Sequence, residues 1–330
     1  MRARSLSAMA LAVAMAMLPA CRSGLREVSA LALPAPPPGQ RPPGVYVTWL
    51  GTAGVVIDDG QTRIAIDPFM SRDSLGHVLV GRPVESRAEL VDRWLARTGG
   101  ARLDAVVVTH SHYDHALDAP TVAARSGAVL VGSDATLQQA RASRLDSRTL
   151  VPAQVGVPLH FGELTVTLRR SAHGDPEFFS GPTPEGFEVP TSARNYRTGP
   201  VYSVLVEHPY GTLLHHGSAA RRPETYDAST RADVVLLGLA GRYETEAYLH
   251  DVVDAVGASR VIPIHYDDFF RPLSRPLRPL PSVDLDGWLS TVATRRPDLT
   301  VQSLPLGEPR RVLAAPVAGA GEDPAPCSAP

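Results

Sequence analysis

Between residues 109 and 118 the chain reads THSHYDHALD, which packs His110, His112, Asp114 and His115 into six positions directly after the apolar run LDAVVV. Imidazole and carboxylate are strong ligands for zinc and related ions, and ligands cluster because one ion must be touched by three or four of them. On an extended backbone leaving a strand, His110 and His112 sit two apart and point to one side, while Asp114 and His115 fall on the next turn. One ion cannot easily take all four; two neighbouring ions can. A polar strand-end turn that happens to be rich in imidazole is the bland alternative, and four ligand-type side chains in six positions make it the weaker one.

Such a cluster needs a scaffold to bring in further ligands, and the pattern on both sides supplies strands. VYVTWLG, AGVVIDDG and TRIAIDPF are short apolar stretches cut by Gly and Asp, and the last two read as strand, DDG turn, strand. ESRAELVDRWLARTGG reads as a helix, with Ser86 and Glu89 at capping-box spacing, an apolar face of Leu90, Trp94 and Leu95, and Gly99 and Gly100 as the stop. Strand LDAVVVTH, a helix with Asp118 near its start and Pro120 in its first turn, strand GAVLVG and helix SDATLQQARAS follow. The second half returns to strands in VPLHFG, LTVTLRRSAH, VYSVLVEH and TLLHHG. It then alternates ADVVLLGL, a helix near ETEAYLHDVVDAVG, strand RVIPIH and a helix near DLDGWLSTVATRR. Two halves with strands first and helices after predict an α/β fold of two stacked sheets with helices outside; the hairpin signals count against a doubly wound parallel sheet.

At 330 residues and 44% hydrophobic, the chain can bury a large core. Its 32 basic residues are all arginine, scattered against 34 acids for a net charge of -2, so no electrostatic argument for nucleic acid exists. Residues 1–20 have a basic start, an apolar stretch too short to span a bilayer comfortably, and small residues before Cys21, the pattern of a secretory signal. LPAC resembles a bacterial lipobox, which implies acylation of Cys21, export to the periplasm or cell envelope, and a lipid anchor in a membrane; Arg22 is compatible with the outer membrane. The only other cysteine, Cys327, lies in a polar tail, so no disulfide framework is expected. The Pro-rich stretch within residues 21–44 reads as an extended, poorly packed tether, 45–314 as the domain, and 315–330 as a disordered tail.

The arrangement His110-x-His112-x-Asp114-His115 after an apolar strand resembles the signature of the metallo-β-lactamase superfamily, from about Val47 to His265. The opening strands, ending in Asp67-Pro68, look most like its lactonase-like branch. The resemblance implies an αββα sandwich of two mixed sheets with His173, from LRRSAHGD, as third ligand of a first ion. His265, from VIPIHYDD, would join Asp114 and His115 on a second, and Asp67 would orient a ligand histidine or merely cap a turn before Pro68. Where the family places a bridging Asp, TLLHHGSAA offers Ser218, a far poorer ligand, so the second ion should bind weakly or not at all. His216, two residues before Ser218, could compensate in part, or be a histidine buried beside the core.

The implied cofactor is one or two divalent ions, zinc first, with manganese or iron open. The implied activity is hydrolysis of a small-molecule ester, lactone, amide or phosphoester by a water whose pKa the ion lowers, with Asp114 orienting that water and His265 stabilising charge on the substrate. A catalytically weakened ligand-binding or surface protein and a mononuclear iron dioxygenase are the competing readings. Near the motif positions, Tyr202, Tyr266, Asp267 and Asp268 are ambiguous between site and solvated loop. The irregular stretch 177–200 reads equally as a lid or wall over the ions and as a surface insertion.

Overall fold

Alternating apolar runs in the first half pair as a meander. β1 (Gly44–Gly51), β2 (Gly54–Asp58) and β3 (Arg63–Ile66) run antiparallel, with Val55 opposite Ile66 and Tyr46 opposite Asp58. β5 (Ala105–Val107), β6 (Val129–Gly132) and β7 (Leu150–Pro152) extend the sheet in parallel beyond β3, and β16 (Arg310–Ala314) closes its other edge against β1. The second half repeats the plan. β8 (Pro158–Phe161), β9 (Leu164–Arg170), β11 (Tyr202–His208) and β12 (Gly211–His216) are antiparallel, and β13 (Val234–Gly238), β14 (Arg260–Ile264) and β15 (Thr300–Val301) continue in parallel. The two-residue strands β4 (Pro83–Val84) and β10 (Thr191–Ser192) pair with each other outside both sheets. This computed structural model describes residues 23–100 and 102–316; the signal segment, Cys21 and residues 317–330 with Cys327 lie outside them.

Period-two alternation decides what each strand buries. Val55, Ile57, Ile64, Ile66, Ala105 and Val107 share one buried cluster with Leu164, Val166, Val204 and Val206 of the second sheet, which makes the two sheets a sandwich. The intervening Val56, Ala65 and Val106 face outward, under Val91, Trp94 and Leu95 of the Ala88–Arg97 helix and Val122 and Ala123 of the Ala119–Ser126 helix. Tyr248, Leu249, Trp288 and Leu289, from the helices starting at Thr245 and Leu285, cover the second sheet. Full burial of each such aliphatic side chain stabilises the fold by about 1.5–3 kcal/mol. The expected stacked mixed sheets with outer helices are therefore the observed architecture.

Two local expectations are corrected. The 21–44 stretch is not all tether: Ser23–Ala30 is a helix, Val28 and Leu33 are buried, and Ser303 Oγ donates to the Val28 carbonyl at 2.6 Å. Leu25 and Val28, three apart, give this segment an apolar stripe that the surrounding proline masked, and only about Pro34–Pro43 stays largely exposed without helix or strand. Ser86 does not cap the helix after it, whose N-cap is Arg87 without a side-chain bond. Its hydroxyl donates instead to Asp118 Oδ1 at 2.6 Å.

Asp118 is fully buried and also accepts from the Met70 and Ser71 backbone N–H groups and the Ser71 hydroxyl, at 2.6–2.7 Å. Burial raises its pKa, and these bonds only partly offset it. Asp118→Ala would leave two buried N–H groups without an acceptor, so a loss of about 4 kcal/mol is expected in urea unfolding. Asp118→Asn, which keeps one oxygen, should lose distinctly less.

Candidate metal centre

Every expected ligand leaves a strand end at the same edge of the sandwich. Thr109 to His115 follow β5, His173 follows β9, Ser218 follows β12 and His265 follows β14, with Asp67 just past β3. The Tyr113–Ala116 helix begins at His112, so Asp114 and His115 turn away from His110 and His112 as the spacing predicts. The structure brings the six into two groups, His110, His112 and His173, and Asp114, His115 and His265, with one ligand atom from each residue of a group within 4.8 Å of the others.

In the first group, His110 Nε2 lies 3.2 Å from His112 Nδ1. An ion about 2.1 Å from two nitrogens at a tetrahedral angle holds them about 3.4 Å apart, so the spacing fits. The remaining nitrogens are anchored: His110 Nδ1 lies 3.2 Å from Thr109 Oγ1, His112 Nε2 2.8 Å from Thr198 Oγ1, and His173 Nδ1 2.6 Å from the Gly174 carbonyl. Such outer partners fix the tautomer and turn one lone pair of each ring to the common point. Burial, followed by repulsion from His115 and its neighbours, holds His110 well below the usual imidazole range. Burial pushes His112 down to about 4 against the pull of Asp114. Neutral imidazole is the form an ion requires.

The second group differs electrically. Asp114 Oδ2 is 3.4 Å from His265 Nε2 and 3.6 Å from His115 Nε2. Burial pushes the Asp114 carboxyl up, but His115, His265 and His112 together outweigh it, and the group stays ionised. Burial likewise lowers His115, yet Asp67 and then Asp114 bring its pKa above the ordinary value, so without an ion this group tends to hold a proton on His115. Asp67, fully buried, accepts from His115 Nδ1 at 2.8 Å and from the Thr109 N–H and hydroxyl at 2.7 and 2.5 Å. It orients His115 rather than only capping a turn.

Asp67 and His265 both sit at positive φ, 46° and 51°, backbone states that side chains other than glycine rarely adopt and that surrounding contacts must enforce. For His265 the contacts are visible. Its N–H donates to the Thr52 carbonyl at 2.7 Å, the Thr52 N–H donates to Asp267 Oδ1 at 2.7 Å, and Asp267 pairs with the equally buried Arg72 at 2.7 Å. Asp267 is thus a support for the loop, Asp268 accepts from the Phe270 N–H at 3.1 Å, and Tyr266 stacks on Trp49 at 5.0 Å. Tyr202 meets the motif only through its backbone N–H, which donates to the Thr109 carbonyl at 2.9 Å.

Ser218 is buried, and its Oγ accepts from the Gly174 N–H at 3.0 Å, beside the loop that carries His173. His216 does not compensate for it. Its Nδ1 meets the Tyr226 hydroxyl at 2.7 Å and its Nε2 the Ala220 carbonyl at 3.1 Å, so both nitrogens are engaged away from the centre. The strand ends at His216, and the two-residue alternation that would place Ser218 on its face ends there too.

The 177–200 segment is a wall of the centre rather than a detached insertion. Phe187, Ala193 and Tyr196 pack with Phe69, Tyr113 and Leu117, and Thr198 reaches His112. Neither Thr198 nor Thr109 carried a sequence signal as a partner of the ligands, since a lone threonine in an irregular stretch has none. Thr198→Val is expected to weaken metal affinity about 10–100-fold, read by competition with a chelator, with Thr198→Ser near wild type. Equal affinity in all three proteins would mean that this contact does not orient His112.

The family model described as the beta-lactamase superfamily domain matches residues 62–266. A protein of Methanoregula boonei named UPF0173 metal-dependent hydrolase is 26% identical over 272 residues, 80% of this chain and 96% of that protein. One of the same name from Pyrobaculum arsenaticum is 24% identical over 243 residues, 70% of this chain and 87% of its own. Among solved structures, Igni18, a metallo hydrolase from the archaeon Ignicoccus hospitalis, shares the fold with a TM-score of 0.53 at 18% identity, covering 80% of this chain and 97% of that one.

Proposed function

Since the chain belongs to the beta-lactamase superfamily and is a metal-dependent hydrolase of it, we propose that it cleaves an uncharged carboxylic ester, lactone or amide of an apolar small molecule. His110, His112 and His173 would hold the first ion, with Asp114, His115 and His265 available to a weaker second one. A divalent ion bound there supplies Lewis acidity and brings the pKa of a water toward neutrality. Asp114, held ionised, accepts a hydrogen bond from the attacking water and aims it; a carboxylate of such low basicity orients a proton better than it keeps one. His265, 3.4 Å from Asp114, is placed to donate to charge developing on the substrate oxygen when its own position carries no ion.

The observation that carries the substrate class is aromatic. Phe179 sits beside the first group, where its carbonyl accepts from the N–H of Thr198, the partner of His112, at 3.1 Å; Phe178 follows at 6.4 Å between ring centres, and Phe269 and Phe270 sit beside the second group, with Phe269 5.5 Å from the His265 ring. Phe178 is 65% exposed, an apolar ring left in water at the rim of a polar centre. Sites that take small molecules combine such apolar walls with a few fixed polar groups. On the zinc-loaded protein, kcat/KM for aryl esters and lactones should rise with acyl chain length, and Phe178→Ala should raise KM with kcat little changed. Turnover of a phosphodiester with none of any carboxylic ester would sink this reading.

A further inference from the structure

We propose that Asp59, Glu163 and His208 form a separate, structural site for a divalent transition ion such as zinc or manganese, at the opposite edge of the sandwich from the catalytic centre. Asp59 follows β2, Glu163 lies in the β8–β9 turn and His208 ends β11, so all three stand where the parallel strands begin rather than where they end. One ligand atom from each lies within 4.8 Å of the others.

The geometry is that of a gap between ligands, not of a closed ion pair. His208 Nε2 is 3.7 Å from Asp59 Oδ2 and 3.4 Å from Glu163 Oε2. An imidazole that hydrogen-bonds a carboxylate closes to about 2.7–2.9 Å, as His115 does on Asp67 at 2.8 Å. The distances here instead match those within the Asp114 group, 3.4 and 3.6 Å. Both Asp59 Oδ2 and His208 Nε2 are buried with no hydrogen-bond partner, on side chains only 4% and 1% exposed. Buried polar atoms are nearly always satisfied, and two orphans aimed at one point call for a shared partner. Two carboxylates around an imidazole call for a cation, and oxygen with nitrogen suits zinc or manganese.

The carboxylate arms are preset. Asp59 Oδ1 accepts from the Gln61 and Thr62 N–H groups at 2.7 and 2.6 Å, which fixes Oδ2. Gly162, at φ 54°, lets its turn lie against Thr62, where a Cβ would come within 2.0 Å of Oγ1. Glu163, 60% exposed, leaves an entry path and room for water ligands. His208 Nδ1 accepts from the Tyr210 N–H at 3.1 Å, which leaves the ring proton on Nε2. On binding, that proton moves to Nδ1 and the Tyr210 bond is given up, one neutral hydrogen bond against three ligand bonds. Bound there, the ion ties the β2–β3 turn of one sheet to two turns of the other.

The test is calorimetric titration of the metal-free full chain with zinc chloride, with thermal melting, on wild type, Glu163→Gln and Asp59→Asn. The expected result is one zinc site weakened about 10–100-fold or more in either variant, since a direct ligand should matter at least as much as an outer partner. Part of the zinc-dependent rise in Tm should go with it, while hydrolysis stays at the wild-type rate. His112→Ala should remove a different site and leave this one. Glu163→Gln alters an exposed side chain, so it reports even where Asp59→Asn fails to fold. Zinc stoichiometry, affinity and Tm gain unchanged in Glu163→Gln would overturn the proposal.

Discussion

His112→Ala is expected to lower metal content at the catalytic centre below half and kcat/KM by about a thousandfold or more, while the metal-free chain still folds. The reason lies in what His112 shares. Its Nδ1 is 3.2 Å from His110 Nε2 and its ring 4.7 Å from that of His173, so removing it leaves two nitrogens where three converge. Without the ion, a water keeps its ordinary pKa near 15.7 instead of about 7, and hydroxide at neutral pH becomes scarce by many orders of magnitude. Metal analysis and kinetics on the same sample check both halves. Full metal content with lost activity would make His112 a group that acts on substrate, and unchanged activity would remove the centre from the reaction. Because burial already pushes His112 down to about 4, its replacement abolishes no ionic interaction near neutral pH, so the metal-free chain loses only the buried ring and its bond to Thr198, about 2 kcal/mol.

What could be read from the chain followed from how local each signal was. His110, His112, Asp114 and His115 lie within six residues, and the strand before them is an unbroken apolar run, so chemistry and scaffold are legible together. His173 and His265 became readable only through the resemblance, because each is a lone histidine in its own segment. The supports were not legible. Arg72 meets Asp267, Thr198 meets His112 and Ser86 meets Asp118 across 195, 86 and 32 positions of chain, and polar side chains carry no period that would announce such pairings. The helix at Ser23–Ala30 was missed for a different reason: its apolar stripe is short and the neighbouring prolines dominate composition, while the surface that stabilises it, around Ser303, is remote in sequence. His216 shows the limit of periodicity itself, since counting by twos past the last residue of β12 predicts a face the backbone no longer has.

Ser218→Asp is expected to tighten the second ion by about a thousandfold and to bring stoichiometry at this centre from one toward two. The native arrangement gives the two groups together one ionised carboxylate among the ligands, Asp114, with Asp67 a step further out on His115. Two divalent ions side by side repel each other, and a neutral hydroxyl does nothing to screen them. A carboxylate about 4 Å from a divalent ion gains about 8 kcal/mol at an effective dielectric near 20, and the cost of burying that carboxylate takes back about half, which leaves about a factor of a thousand in affinity. The site can accept the change, because Ser218 Oγ already takes the Gly174 N–H at 3.0 Å and an aspartate oxygen can take it too. Titration of the metal-free variant with zinc, in a Glu163→Gln background so that the outlying cluster does not contribute, isolates the effect. An unchanged count would mean that the missing bridge does not limit the second site. The limit would then lie with the proton His115 tends to hold and with His265, whose Nδ1 is buried without a partner to fix the ring. Gain of the second ion with a fall in kcat would carry a different message: that this chain works with one ion and uses His265 and Asp114 as free groups on substrate and water.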